Sequence, residues 1–282
     1  MPRLLPTACI QTCPRPDFDS AIDEMTPLVG EALASGARFI ALPEYCGGLR
    51  SDGPLLVPPS APETSHPVLS AVSEMARKGK VWILLGSIAV DGPGGRMFNR
   101  GFLIDDTGVP VARYDKLHMF DIQLSKDRVY RESAVIAPGS KAVTAEAPFA
   151  RVGMTICYDL RFPGLYRDLA KAGAEILTVP AAFVAATGKA HWHVLNRARA
   201  IENGCFVVSP CATGSVPGGG ETYGHSLIID PWGTVLADAG EGPGVAIAEL
   251  DLDMVGTTRD RIPSLSHGRH YEFSAMSKVK VA

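Results

Sequence analysis

The sequence predicts an α/β fold, on three observations. Strand-sized apolar runs alternate with segments of helical period along most of the 282 residues. Four helical segments each end at a glycine: Gly36, Gly79, Gly173 and Gly204. A hairpin pattern also recurs. Phe102-Leu-Ile-Asp105-Asp-Thr-Gly108-Val-Pro-Val-Ala-Arg113 is echoed by Leu227-Ile-Ile-Asp230-Pro-Trp-Gly233-Thr-Val-Leu-Ala-Asp238. Each reads as two antiparallel strands about an Asp/Gly turn. Two αβ halves related in this way would stack their sheets face to face with helices outside. Asp-x-x-Gly hairpins are common, so the repeat alone leaves an unduplicated α/β fold open.

Taken in order, Leu4 to Gln11 is a first strand. Asp17 or Asp19 caps a helix whose apolar face is Ile22, Met25, Leu28, Val29, Ala32 and Leu33. Arg38 to Pro43 is a short buried strand that ends at Glu44. A helix from about Ser65 to Lys78 and a strand from Val81 to Val90 lead into the first hairpin. Val152 to Ile156 is a strand that ends at Cys157, and Pro163 opens a helix through Leu165, Leu169 and Ala170. Glu175 to Pro180 is a strand, His193 to Asn203 a helix, and Phe206 to Pro210 and Leu227 to Asp230 are strands. The glycine-rich stretch Gly214 to Gly224 reads as a flexible loop without a nucleotide fingerprint. Residues 1–282 are expected to form one domain, with 262–282 a polar tail that contributes to a subunit interface.

Composition narrows the function classes. The hydrophobic fraction of 46% suffices for a substantial core, and a net charge of −3 with scattered Lys and Arg points to neither nucleic acid nor an anionic membrane. The longest apolar runs fall short of the roughly 18–20 residues of a membrane span. Met1 to Cys13 lacks the pattern of a signal peptide, so a cytoplasmic location with reduced thiols is expected for the six cysteines. No C-x-x-C pair is present. His191 and His193 would point about 200° apart on a helix, a poor metal pair. No metal and no cofactor is expected.

Three reactive residues each follow an apolar strand: Glu44, Lys116 and Cys157. Strand ends that meet at one rim make an α/β active site. A thiol, a carboxylate and an ammonium there suffice for covalent amide hydrolysis. The carboxylate takes the thiol proton and returns it to the leaving amine, while the ammonium favours the thiolate and holds the developing oxyanion. Taken singly, each residue also has an ordinary reading as a loop acid, a solvated lysine or a core cysteine.

Several blocks in one order resolve that choice. Leu42-Pro-Glu44, Tyr114-Asp-Lys116-Leu-His118 and Gly153-Met-Thr-Ile-Cys157-Tyr-Asp-Leu-Arg161-Phe-Pro163 resemble the three motif blocks of the nitrilase superfamily of carbon–nitrogen hydrolases. Pro180-Ala-Ala-Phe183, Thr187-Gly-Lys-Ala-His-Trp192, Arg197-Ala-Arg-Ala-Ile-Glu-Asn203 and Tyr223-Gly-His-Ser226 extend the likeness over most of the chain. The resemblance implies a four-layer αββα sandwich, usually a homodimer or higher homo-oligomer. It implies Glu44 as general base, Lys116 as oxyanion stabiliser, Cys157 as nucleophile and Glu132 as a second active-site acid. It also implies the Tyr158 N–H in the oxyanion site and Phe183 and Thr187 on the substrate pocket wall. Arg161, close in sequence to Cys157, is a candidate contact for a substrate carboxylate, with a structural Arg–carboxylate pair equally open.

Within the superfamily, Phe120-Asp-Ile, Thr187 to Trp192 and Asp230-Pro-Trp-Gly233 are most similar to the deaminated-glutathione amidase and ω-amidase branch, which acts on terminal amides of small 2-oxo acids. Gly164 departs from the pattern, since relatives carry Glu after Arg-Phe-Pro. An N-carbamoyl amino acid hydrolase or a nitrilase is the alternative inside the superfamily. A serine hydrolase lacks its G-x-S-x-G elbow here, and a redox thiol protein lacks a resolving cysteine beside Cys157.

Overall fold

The computed structural model describes residues 2–126 and 128–274; the last eight residues of the expected tail lie outside them. Two sheets carry the fold. The first uses β1 (Leu4–Gln11), β2 (Phe39–Ala41), β3 (Trp82–Asp91), β4 (Met97–Ile104) and β5 (Pro110–Asp115). A small hairpin follows, β6 (Asp121–Ser125) and β7 (Arg128–Arg131). The second sheet is built from β8 (Val143–Glu146), β9 (Arg151–Met154), β10 (Ile176–Thr178) and β11 (Phe206–Ser209). After another small hairpin, β12 (Thr213–Ser215) and β13 (Glu221–Tyr223), it is completed by β14 (Leu227–Ile229) and β15 (Val235–Asp238). The last strand, β16 (Gly244–Asp251), returns to the first sheet.

The two sheets share one plan. The first runs β16-β1-β2-β3-β4-β5 and the second β8-β9-β10-β11-β14-β15. In each, an antiparallel edge strand flanks three parallel strands, and an antiparallel hairpin closes the far side. The recurrent hairpin of the sequence is β4–β5 in one sheet and β14–β15 in the other, so it occupies the same place in both.

Side-chain alternation explains the layering. Phe39, Ala41, Leu84 and Leu103 belong to an apolar cluster with Val152, Met154 and Ile176 of the second sheet. That cluster continues to Tyr166, Leu169, Trp192 and Ala200 of α3 (Pro163–Lys171) and α4 (Ala185–Asn203). The alternate residues Ile40, Ile83, Leu85, Phe102 and Ile104 pack on Met25, Val29 and Ala32 of α1 (Phe18–Ala34) and on Val68, Val72 and Ala76 of α2 (Pro67–Gly79). The result is the αββα order, with the sheets face to face and a helix pair outside each.

Local signals account for several boundaries. Asp17 caps α1 by accepting the Ser20 N–H, and Pro163 stands at the first position of α3. Others differ from expectation. The fourth helix starts at Ala185 rather than His193, because Ala185-Ala-Thr-Gly-Lys-Ala carries little apolar period while still being able to wind. Gly214 to Gly224 is not a loop throughout, since both ends pair as β12 and β13. The strand β16 and the helix α5 (Asp253–Arg261) were not anticipated. Of the tail, Ser264 is held by Arg167, while Tyr271 and Phe273 are exposed.

Candidate active site

The segment that carries Glu44 leaves β2 and crosses over the middle of β3. Leu42 N–H donates to Leu84 O at 2.9 Å, Tyr45 N–H to Ser87 Oγ at 3.0 Å, and Cys46 N–H to Ser87 O at 3.1 Å. This crossing needs Gly86, because a Cβ there would collide with the carbonyl oxygens of Leu42 and Pro43. Lys116 follows β5, with its N–H on Asn99 O at 3.0 Å and its carbonyl on Gly139 N–H at 2.8 Å. Glu132 opens a short 3₁₀ turn after β7.

Cys157 comes from the other sheet. It opens a 3₁₀ turn, Cys157–Arg161, between β9 and α3, and holds a left-handed backbone with φ 47°. A non-glycine residue in that region is strained and persists only where its surroundings fix it. Two bonds do so here: Cys157 N–H donates to Pro180 O at 2.9 Å, and Ile156 N–H to Asp159 Oδ2 at 2.8 Å. Asp159 is wholly buried and also accepts from Tyr114 OH at 2.7 Å and from His118 N–H at 3.1 Å. That one carboxylate staples the Lys116 segment to the Cys157 turn. The Tyr158 N–H has no backbone acceptor among the described residues and stands free at the start of the turn.

The side chains meet at the buried end of a cavity of about 950 Å³ lined by Glu44, Lys116 and Cys157. Glu44, Lys116, Glu132 and Cys157 are 3%, 2%, 1% and 7% exposed, so their charges act with little solvent screening. Lys116 Nζ donates to Glu44 Oε1 at 2.9 Å and to both Glu132 oxygens, at 3.0 and 2.9 Å. Glu132 accepts further bonds from Tyr45 OH at 3.0 Å, Asn99 Nδ2 at 3.3 Å and Phe120 N–H at 2.7 Å. Glu44 accepts Asn99 Nδ2 on Oε1 at 2.9 Å and Ala182 N–H on Oε2 at 2.8 Å. Burial works against the Lys116 ammonium, yet the carboxylates of Glu132 and Glu44 hold its pKa well above the ordinary lysine value. Burial and the adjacent Glu44 carboxylate push the Cys157 thiol well above the ordinary cysteine value, and Lys116 offsets only part of this. Burial thus favours the neutral thiol over the thiolate at Cys157. The sequence had suggested a thiolate favoured by the ammonium.

The structure brings Glu44, Lys116, Glu132 and Cys157 together and sets Tyr158, Phe183 and Thr187 on the cavity wall. Arg161 does not line the cavity. Its guanidinium donates to His191 Nδ1 at 3.3 Å and lies over the rings of Tyr158 and Phe183. Gly164 is exposed, and a Cβ there would meet nothing within 4 Å. Sequence reasoning missed Tyr45, Asn99 and Asp159, which act on the reactive groups rather than as reactive groups. It also missed Lys126 and Lys189, two cations at the exposed rim. Among the described residues one group has metal-ligand character: His193, His225 and Asp238. It lies away from the cavity lining, and its carboxylate accepts from both imidazoles at 3.0–3.1 Å.

Residues 7–260 match the family model described as carbon-nitrogen hydrolase. A deaminated glutathione amidase from Synechocystis sp. is 42% identical over 264 residues, which span 92% of this chain and 96% of the relative. The crystal structure of the C. elegans NitFhit protein superposes with a TM-score of 0.86 at 32% identity, over 94% of this chain and 65% of that one. Saccharomyces cerevisiae Nit3, a member of branch 10 of the nitrilase superfamily, superposes with a TM-score of 0.81 at 27% identity, over 92% of this chain and 94% of its own.

Proposed function

This chain belongs to the carbon–nitrogen hydrolase family, and we propose that it is a thiol amidase acting on amides of small 2-oxo acids, of the deaminated glutathione or 2-oxoglutaramate type. The observation that carries this reading is one ammonium, Lys116, shared by two buried carboxylates in the cavity that the Cys157 thiol also lines. The name of the Synechocystis relative supports the substrate class.

The roles follow from how the carboxylates are occupied. Both oxygens of Glu132 are taken by Lys116 and by Tyr45, Asn99 and Phe120, so Glu132 serves as a fixed anion that orients the ammonium. Glu44 Oε2 accepts only the Ala182 N–H among the described residues. It retains a lone pair for the Cys157 proton and is the base. Glu44 takes that proton as Sγ attacks the amide carbon, and the carbonyl oxygen becomes an oxyanion held by Lys116 and the Tyr158 N–H. The C–N bond breaks as Glu44 gives the proton to the departing nitrogen, which leaves as ammonia or an amine. Glu44 then deprotonates a water that attacks the thioester. The C–S bond breaks, the thiol regains its proton, and the free acid departs.

Tyr158, Phe183 and Thr187 form the wall against the acyl group, and Lys126 and Lys189 at the rim supply cations for a substrate carboxylate. Arg161 supports that wall from behind through its contacts with Tyr158 and Phe183. The chain acts as one domain and as a homodimer to which the tail contributes, an assembly that light scattering reads directly. Six free cysteines fit a reducing cytoplasm.

A product-release panel tests the reaction. Deaminated glutathione and 2-oxoglutaramate are expected to turn over, with N-carbamoyl amino acids and aliphatic nitriles slow or inert. Turnover of nitriles or carbamoyl compounds without the 2-oxo amides overturns the reading.

A further inference from the structure

Asn99 sits in β4, fully buried, between the two carboxylates of the site. Its Nδ2 donates to Glu44 Oε1 at 2.9 Å and to Glu132 Oε1 at 3.3 Å, and its backbone carbonyl accepts the Lys116 N–H at 3.0 Å. It thus touches Glu44, Glu132 and Lys116, yet it does not line the cavity and has no access to substrate. Its Oδ1 is buried and finds no hydrogen-bond partner. Turning the amide over would set that oxygen against two carboxylates, so the observed orientation is the one the charges require. A buried acceptor left unmade is a cost, and an apolar residue in this strand would avoid it. What the asparagine adds is its N–H pair.

We infer that Asn99 is a positioning residue that holds Glu44 by Oε1 and leaves Oε2 aimed at Cys157. The charges call for such a group. Two carboxylates share one ammonium, so the cluster is an anion short of compensation, and burial penalises that excess. A donor to the charged form holds a carboxylate in that form. Asn99 does this at Oε1, which leaves Oε2 as the oxygen that receives the thiol proton. Because the amide is neutral, it lets Glu44 give the proton back to the leaving nitrogen, where a second lysine would hold Glu44 too firmly ionised.

This inference rests on Glu44 as the base. The test measures kcat and KM for 2-oxoglutaramate against pH in the wild type, Asn99→Ala, Asn99→Asp and Glu44→Gln, with thermal unfolding of each. Asn99→Ala is expected to lose about 10–100-fold in kcat, the scale of a lost hydrogen bond to a charged group, with KM little changed. The acidic limb of its profile should move to higher pH, because removing a donor to a charged carboxylate favours the protonated form. Asn99→Asp adds a third carboxylate and should move that limb further in the same direction. A folded Asn99→Ala with the wild-type limb and kcat overturns the inference. Should Asn99→Ala fail to fold, the nearly isosteric Asn99→Asp carries the test, and an unmoved limb there overturns it. Activity surviving in Glu44→Gln would instead remove the base assignment beneath it. A dead Glu44→Gln beside an unaffected Asn99→Ala removes the Asn99 role alone.

Discussion

Cys157 combines a strained backbone with a retained proton. The left-handed turn aims the thiol at the cavity floor, and burial beside Glu44 raises its pKa well above the ordinary value. A raised pKa keeps the thiol protonated to higher pH, so the proposed attack is coupled to proton transfer to Glu44. A difference titration of thiolate ultraviolet absorbance, wild type against Cys157→Ala, should show no Cys157 contribution at or below about pH 8.5, the free-cysteine midpoint. A thiolate signal at neutral pH would sink the coupled-transfer account. Glu44, Lys116 and Cys157 were legible in the sequence because each is a reactive residue type that follows a strand. Asn99, Tyr45 and Asp159 were not. Their partners lie 33 to 87 positions away for the glutamate contacts of Asn99 and Tyr45, and 41 to 45 for the bonds of Asp159 to His118 and Tyr114. Nothing local marks an asparagine in an apolar strand as the link between two acids.

At the scale of elements, the site depends on how closely strands can cross. Gly86 lets the Leu42–Pro43 segment lie directly on the middle of β3, which sets where Glu44 emerges. Gly86→Ala should therefore destabilise the fold by about 1–3 kcal/mol, the usual cost of overpacking. It should lower kcat by more than the folded fraction explains, because Glu44 is displaced from Lys116. Urea unfolding and kcat on the same preparation check this; full activity with a normal midpoint would show that the crossing has slack. The sequence located α1 and α3 through Asp17 and Pro163, residues whose chemistry fixes a helix start locally. It placed the start of α4 too late because Ala185 to Ala190 has no capping side chain and mostly small residues. What holds that first turn is tertiary. Gly188 packs so tightly on Tyr223 of β13 that a Cβ would clash with the ring, a contact no single-chain pattern reveals.

For the whole molecule, the matching strand order of the two sheets explains why the proposed catalytic groups converge. Glu44 and Lys116 leave one sheet and Cys157 leaves the other, so the site is closed only when the halves are stacked. The recurrent hairpin exposed that duplication in the sequence, since each copy takes the equivalent edge. The closing strand β16 stayed hidden because its partner β1 lies at the opposite end of the chain. In the proposed reaction the stacked halves assemble an acyl-transfer centre on one thiol. Rapid quenching during turnover of 2-oxoglutaramate, followed by mass spectrometry of the intact chain and its peptides, tests it most directly. The account predicts a single acyl adduct, mapped to the Cys157 peptide and missing from an inactive Cys157→Ala. Turnover persisting in Cys157→Ala, or an adduct on another residue, would contradict it.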